Sequence, residues 1–309
     1  MKQVVFITQQ MGLQGSYMNH LDLQQHLKDN EGYRVKFYCE NVKKLFEIIQ
    51  NSRRSYTMEK GEVKVLRKEI IEPDVVITDF KTLCMAPKLN LFVICKKVLV
   101  MDSIELTYHL KDMKHARFFP HVDLYNALKH FYAEEVVFLM PPNNHEIFKE
   151  KYPDLNSQVF FKIINTDMLK TLKHENRDGY FYRWDDLRGY QELVESEFGK
   201  GINYEPDWKL KMGRKIPVKY NEINHIFDYK ELVYRRRKYL EYQEQFGRLI
   251  FEYILLGKTV HFLNEPYTDD GLTDYLQHYD IKFVGRTVKT TKDELSRRMK
   301  EYVNRPWDN

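Results

Sequence analysis

The sequence predicts an α/β protein made of two halves, each a parallel sheet with helices on both faces. Three observations lead there. Runs such as VVFIT (4–8), KVLVMDS (97–103) and VVFLMPP (136–142) are apolar almost throughout, as strands buried on both faces are. Segments of helical length separate such runs through about residue 165, which is the order of a doubly wound parallel sheet. A second strand–helix series then opens after a polar junction at 168–178.

Element by element, VVFIT is the first strand and QQMGLQGS a loop. YMNHLDLQQHLKDN is a helix with Met18, Leu21 and Leu27 on one side. YRVKFYCE (33–40) alternates as a strand, VKKLFEIIQNS is helical, and GEVKVLRKEI holds a short strand. PDVVITDF (73–80) is strand-like, NLFVICKK is read as the end of a helix, and KVLVMDS is a buried strand. DLYNALKHFYAEE is read as helix, VVFLMPP as strand, NNHEIFKEKYPD as helix and QVFFKIIN as strand. In the second half GYFYR is a strand and DDLRGYQELVESEFG a helix. KELVYRRR is a strand, 247–256 a helix and TVHFLN a strand. DDGLTDYLQHY (helix), IKFVG (strand) and TKDELSRRMKEYV (helix) complete the chain.

Bulk properties narrow the class. The 309 residues are enough for two cores, and 30% charged with 43% hydrophobic residues excludes a disordered chain. The net charge of +4 permits a polyanionic acceptor without demanding one. Cys39, Cys84 and Cys95 show no CxxC spacing and are expected as reduced thiols in a cytoplasmic protein. MKQVVFIT reaches polar QQ after one short run, so no signal peptide is expected, and no apolar stretch attains the roughly 18 residues of a membrane span. Metal use is not expected: there is no Asp-x-Asp, the adjacent acids of WDD and TDD read as helix starts, and His and Cys do not cluster at ligand spacing.

The stretch EQFGRLIFEYILLGKTV (244–260) holds the chemistry. A helix from near Gly247 presents Leu249, Ile250, Tyr253, Ile254 and Leu256 as an apolar face, yet Glu252 interrupts it and Glu244 precedes it. Gly247 suits a close backbone approach, and a helix start offers free N–H groups to a phosphate. Acids beside that start can accept from sugar hydroxyls. The other reading makes Glu244 a helix flank and Glu252 a surface residue.

This segment resembles the E-x-F-G-x4-E-a-x3-G-x2-V signature of retaining GT-B glycosyltransferases, with Glu244, Phe246, Gly247, Glu252, Gly257 and Val260 in register and Tyr253 a departure. The resemblance implies that Glu244 contacts the donor sugar and Glu252 the ribose hydroxyls, with Arg248 among the donor-binding residues. YFYRWDDLRGYQEL (180–193) is similar to the family's segment at the start of the nucleotide domain. It implies Arg183 and Arg188 as diphosphate ligands, where cations offset the charge of the leaving group. Tyr182 stands in place of the usual Gly, and Arg188 in place of Lys. GLQGS, with Gly12, Gly15 and Ser16, resembles the family's Gly-rich loop of the first domain; a plain turn is the other reading. Asp102, closing a parallel strand, resembles the strand end that carries an acceptor-site acid in phage DNA α-glucosyltransferases. It could polarise an acceptor hydroxyl or simply cap the next helix. The basic run VYRRRKYLEY (233–242) faces either phosphates or water.

The resemblance implies two Rossmann-like domains across a cleft: 1–172 for the acceptor, 173–290 for the nucleotide sugar, and a helix in 291–309 crossing back to the first. It implies retaining transfer from a nucleotide sugar, a UDP-sugar by expectation, without a further cofactor. The acceptor it favours is hydroxymethylcytosine in phage DNA, which would put the protein in the host cytoplasm. A glycan or lipid-linked hydroxyl, or a non-catalytic nucleotide-sugar-binding protein, is the alternative. Oligomeric state stays open.

Overall fold

The computed structural model describes residues 2–9, 15–29, 32–67, 70–112, 123–182, 196, 198, 226–235, 247–264, 266 and 271–303. The chain divides into two compact units. The first is Met1–Gln50 with Tyr56–Asn165, and the second is Asn51–Ser55 with Thr166–Asn309.

The first unit is a parallel sheet. Its strands are β1 (Lys2–Thr8), β2 (Tyr33–Cys39), β3 (Val63–Val65), β4 (Ile70–Ile71), β5 (Val75–Asp79), β6 (Phe92–Met101), β7 (Phe131–Met140) and β8 (Ser157–Val159). They lie in the order β3-β2-β1-β5-β6-β7-β8, with β4 alongside the start of β6. β1 pairs with β2 on one side and β5 on the other, so the winding reverses there. The helices are α1 (Gly15–Lys28), α2 (Val42–Asn51), α3 (Phe80–Leu89), α4 (Ile104–Leu110), α5 (Leu124–Leu128) and α6 (Pro142–Lys151). Val5, Ile7, Val76, Val98, Val100, Phe138 and Met140 pack with Phe80, Leu83 and Phe148 in one apolar cluster. That burial is what the continuous Val/Ile/Phe runs encode.

α1 departs from an amphipathic helix. Asn19, His20, Asp22, Gln24 and Gln25 are all buried beside Met18, Leu21 and Leu23. Asp22 accepts from Tyr56 Oη at 2.6 Å and from the Asn165 amide at 3.1 Å, and Gln25 Oε1 accepts from the Thr57 amide at 2.8 Å. These bonds offset the cost of burying Asp22 and Gln25.

Three segments differ from the sequence reading. NLFVICKK is not a helix end: α3 stops earlier, at Asn90 in the left-handed region (φ 49), and Val93 and Ile94 already lie in β6. DLYNALKHFYAEE is helical only through Leu128, because Phe131 pairs with Val93 and starts β7. QVFFKIIN contributes only Gln158 and Val159 to a strand, β8 (Ser157–Val159). α3 is thus the helix the sequence reading ends too late, and α4 was not foreseen. Asp79 fixes the start of α3 by accepting from Thr82 N at 2.9 Å, a side-chain cap closing right after the strand.

The second unit has β9 (Arg177–Phe181), β10 (Tyr229–Tyr234), β11 (Thr259–Phe262), β12 (Phe283–Val284) and β13 (Thr287–Val288), in the order β12-β13-β11-β10-β9. β9, β10 and β11 are parallel, while β13 is antiparallel to β11. Its helices are α7 (Thr166–Lys170), α8 (Arg248–Leu255), α9 (Gly271–His278) and α10 (Lys292–Val303). α8 buries Ile250, Phe251, Tyr253 and Ile254 and closes at Gly257, whose φ of +72 a β-carbon would strain. Within the second unit, α10 packs on α7 and α8. DDLRGYQELVESEFG lies outside the described residues apart from Ser196 and Phe198.

Residues 51–55 are built into this second unit by polar contacts. Arg53 Nη1 lies 3.2 Å from the buried Asp228 carboxylate, Ser55 N donates to Thr171 Oγ1 at 3.1 Å, and Arg54 pairs with Glu252.

Candidate functional site

In the second unit, β10 leads through residues 236–246, outside the described set, to Gly247 and α8. Gly247 takes the cap position at φ −86° and offers no side-chain cap, so first-turn amides have no side-chain acceptor from the capping residue. Glycine here is a matter of space. A β-carbon would overlap Tyr234 Oη and approach Ile250 Cδ1 to 2.7 Å.

One turn in, Glu252 meets two guanidinium groups. Arg248 Nε donates to its Oε1 at 2.7 Å, and Arg54 Nη2 donates to the same oxygen. All three side chains are buried, Glu252 at 5% exposure, so the ion pairs lie in a medium where charges interact strongly. Both arginines engage Oε1. The apolar neighbours Ile250, Phe251 and Tyr253 explain why an acid on this helix needs cations at all.

In the first unit, Asp102 follows β6 at the carboxyl edge of the sheet, one strand from the β1/β5 reversal where ligands of such sheets bind. Its amide donates to Leu139 O at 2.8 Å. Its Oδ1 accepts from Asn144 Nδ2 at 3.4 Å, and Lys162 Nζ stands 3.5 Å from Oδ2. Asn144 also donates to Thr107 Oγ1 at 3.0 Å. Burial raises the Asp102 carboxyl above the usual range, and the Lys162 ammonium partly offsets this. Nearby Glu105, in the first turn of α4, is likewise raised by burial, and Lys81 sits 3.9 Å away. Two acids of raised proton affinity beside one sheet edge are a chemistry-bearing arrangement, suited to accepting from or polarising hydroxyls.

At the reversal itself, Asp79 ties β1 to α3. Its Oδ2 accepts from Thr8 Oγ1 at 2.7 Å and Thr82 Oγ1 at 2.8 Å, and the Gln9 amide donates to Thr82 Oγ1 at 2.9 Å. The second sheet carries one more polar constellation: His261 Nε2 lies 2.6 Å from Glu231 Oε2 and its Nδ1 3.0 Å from Thr287 Oγ1.

Of the residues the sequence singles out, Gly247, Arg248 and Glu252 come together in the second unit, and Asp102 stands in the first. Gly15 and Ser16 open α1. Gly12, Arg183, Arg188, Glu244, Phe246 and the run 236–242 lie outside the described residues. Arg54, Asn144 and Lys162 were not foreseen. Their partners lie 198 residues away for Arg54 and 42 for Asn144, and no local pattern encodes such a pairing. Among the described residues, no group of three or more His, Cys, Asp or Glu is placed to hold a metal ion, and no helix is long and apolar enough to cross a membrane.

No protein-family model matches the chain, and no curated protein matches it. Among solved structures it is similar to apo UGT2 of Phytolacca americana, at 10% identity over 98% of this chain and 91% of that one, with a TM-score of 0.41. At that score nothing about activity follows from the likeness.

Proposed function

We propose that the chain is a GT-B glycosyltransferase that moves a sugar from a nucleotide-sugar donor to an acceptor hydroxyl with retention. One observation carries the reading: Gly247 opens α8, the next described helix along the chain after the parallel strand β10, and Glu252 stands one turn in, which fits a helix start of the kind that receives phosphate. In this reading the first-turn amides of α8, with Arg183 and Arg188, hold the diphosphate. Glu244 contacts the donor sugar, and Glu252 accepts from the ribose. Gly12, Gly15, Ser16, Phe246 and Arg248 complete the donor site. Asp102 orients the acceptor hydroxyl, with Lys162 3.5 Å from its Oδ2. Arginines and helix dipole, not a metal, offset the charge of the leaving group. The departing phosphate takes the acceptor proton on the same face, so no strong base is required. The acceptor favoured is hydroxymethylcytosine in DNA.

A second reading has its own support. Glu252 is already neutralised by two buried arginines, as a structural acid would be, which fits a protein that binds nucleotide sugars without transferring them.

The test is thermal stabilisation by a panel of nucleotide sugars, followed by transfer assays on hydroxymethylated duplex DNA and on oligosaccharides. A ligand that binds only the folded chain at a hundred times its Kd adds about 2.7 kcal/mol of stability. Stabilisation with sugar transfer supports the transferase. Stabilisation without transfer or donor hydrolysis supports the binding protein, and no stabilisation by any donor rejects both.

A further inference from the structure

The amino-terminal halves of β6 and β7 carry an uncovered apolar face. Ile94 and Tyr132 are register partners, and Ile70 of β4 is the partner of Phe92. Paired residues of a parallel sheet point to one side, as do residues two apart on a strand, so Ile70, Phe92, Ile94 and Tyr132 share a face. Ile70 is 63% exposed, Ile94 45% and Tyr132 60%, while Val93 and Phe131 on the opposite side are in the core. Just above this apolar strip, Lys96 and Glu134 each stand two residues on from Ile94 and Tyr132, between the register pairs Cys95–Ala133 and Lys97–Glu135, and both are exposed. Phe92 is held in place by stacking on His130 at 4.8 Å between ring centroids.

We propose that this face is where two copies of the chain meet. The charge pattern selects a second copy as the occupant. A two-fold axis in the interface plane, parallel to the strands and running between β6 and β7, sets β6 of one copy over β7 of the other. That operation places Ile94 over Tyr132 of the partner copy twice, and Lys96 over Glu134 of the partner copy twice. The patch is therefore complementary to itself, as an isologous contact must be. Lys96 now lies 3.6 Å from Asp74 at 72% side-chain exposure, a loose surface pair that leaves the ammonium able to reach across. Six side chains are far fewer than the roughly 20 to 30 per side of a standard interface, so the dimer is weak, with a Kd on the order of micromolar.

Sedimentation equilibrium of the full chain, spanning roughly 1 to 100 µM, tests this. The expected result is a monomer–dimer equilibrium in which Ile94→Asp raises the Kd about tenfold or more, as loss of a central apolar contact does. Lys96→Glu alone raises it several-fold at low salt, and Lys96→Glu combined with Glu134→Lys returns it to within about twofold of the original, because the swap restores both cross-pairs. Thermal melts of the same variants check folding, and since these side chains are exposed, the melts should hardly move. A chain that stays monomeric throughout, or a dimer indifferent to both Ile94→Asp and Lys96→Glu, overturns the proposal. A double swap that fails to restore association overturns the two-fold arrangement.

Discussion

Arg248 Nε donates to Glu252 Oε1 at 2.7 Å across one turn of α8, and Arg54 donates to the same oxygen from a position 198 residues earlier. Three buried charges thus share one contact point. Removing the carboxylate takes a buried ion partner from two guanidinium groups. Glu252→Ala is therefore expected to cost about 3–5 kcal/mol in urea unfolding, while Arg54→Met with Glu252→Met costs clearly less than the two single changes added together. Additive effects would mean the ion pair contributes nothing as a pair. If Glu252 also holds ribose, Glu252→Gln, which keeps the shape, weakens donor binding in protein that is still folded.

Gly247→Ala forces a methyl group against Tyr234 Oη and Ile250 Cδ1. The expected loss is about 1–3 kcal/mol, typical of overpacking. Tyr234 ends β10 and Ile250 is fully buried, so neither can simply step aside. Calorimetric melts of the two proteins decide this; an unchanged melting temperature would show that Tyr234 yields freely.

Asp102 makes stability depend on pH in a definite direction. Burial lifts its folded-state affinity for the proton above that of the unfolded chain. Its contribution is thus fully present below the ordinary carboxylate range near pH 4 and is lost as pH rises through the folded value. The stability difference, wild type minus Asp102→Asn, should fall as pH rises above about 4, the ordinary carboxylate range. Glu105 shifts in the same sense, so the comparison must be with the single variant and not with the raw curve. A difference that stays flat with pH would remove the buried-acid account. In the transferase reading Asp102→Asn also slows transfer without weakening donor binding.

Burial pushes the Cys39 and Cys95 thiols up to about 11, and Cys84 higher still. At pH 8 roughly one in a thousand of the first two is thiolate. Native protein should resist alkylation at all three, and urea-unfolded protein should take up three labels, counted by mass. Rapid single labelling of native protein would contradict the burial found here.

Much of the architecture was legible, and the exceptions are instructive. VVFIT, KVLVMDS and VVFLMPP are strands because their unbroken apolar runs leave no polar face to hide. The start of α8 at Gly247 was legible because a Gly-Arg pair precedes an apolar helix face. β6 was misread at NLFVICKK, since Val93, Ile94 and Cys95 form the kind of short apolar run in which strand and buried helix look alike. α1 was foreseen as a helix, but not that Asn19, His20, Asp22, Gln24 and Gln25 would be buried; the groups that Asp22 and Gln25 bond, Tyr56, Asn165 and Thr57, are distant in sequence. At the candidate site, residue types were readable while the ion partners were not. Nothing near Glu252 announces Arg54, and nothing near Asp102 announces Lys162.

The assignment of residues 51–55 to the second unit bears on how the chain is made. During synthesis Arg53 and Arg54 emerge long before Asp228 and Glu252, so the later unit must wait for acids that match cations already outside the ribosome. A C-terminal fragment beginning at Thr166 would lack both arginines and bury Asp228 and Glu252 without them. Such a fragment should fold poorly by itself and recover when an N-terminal piece carrying residues 51–55 is supplied in trans.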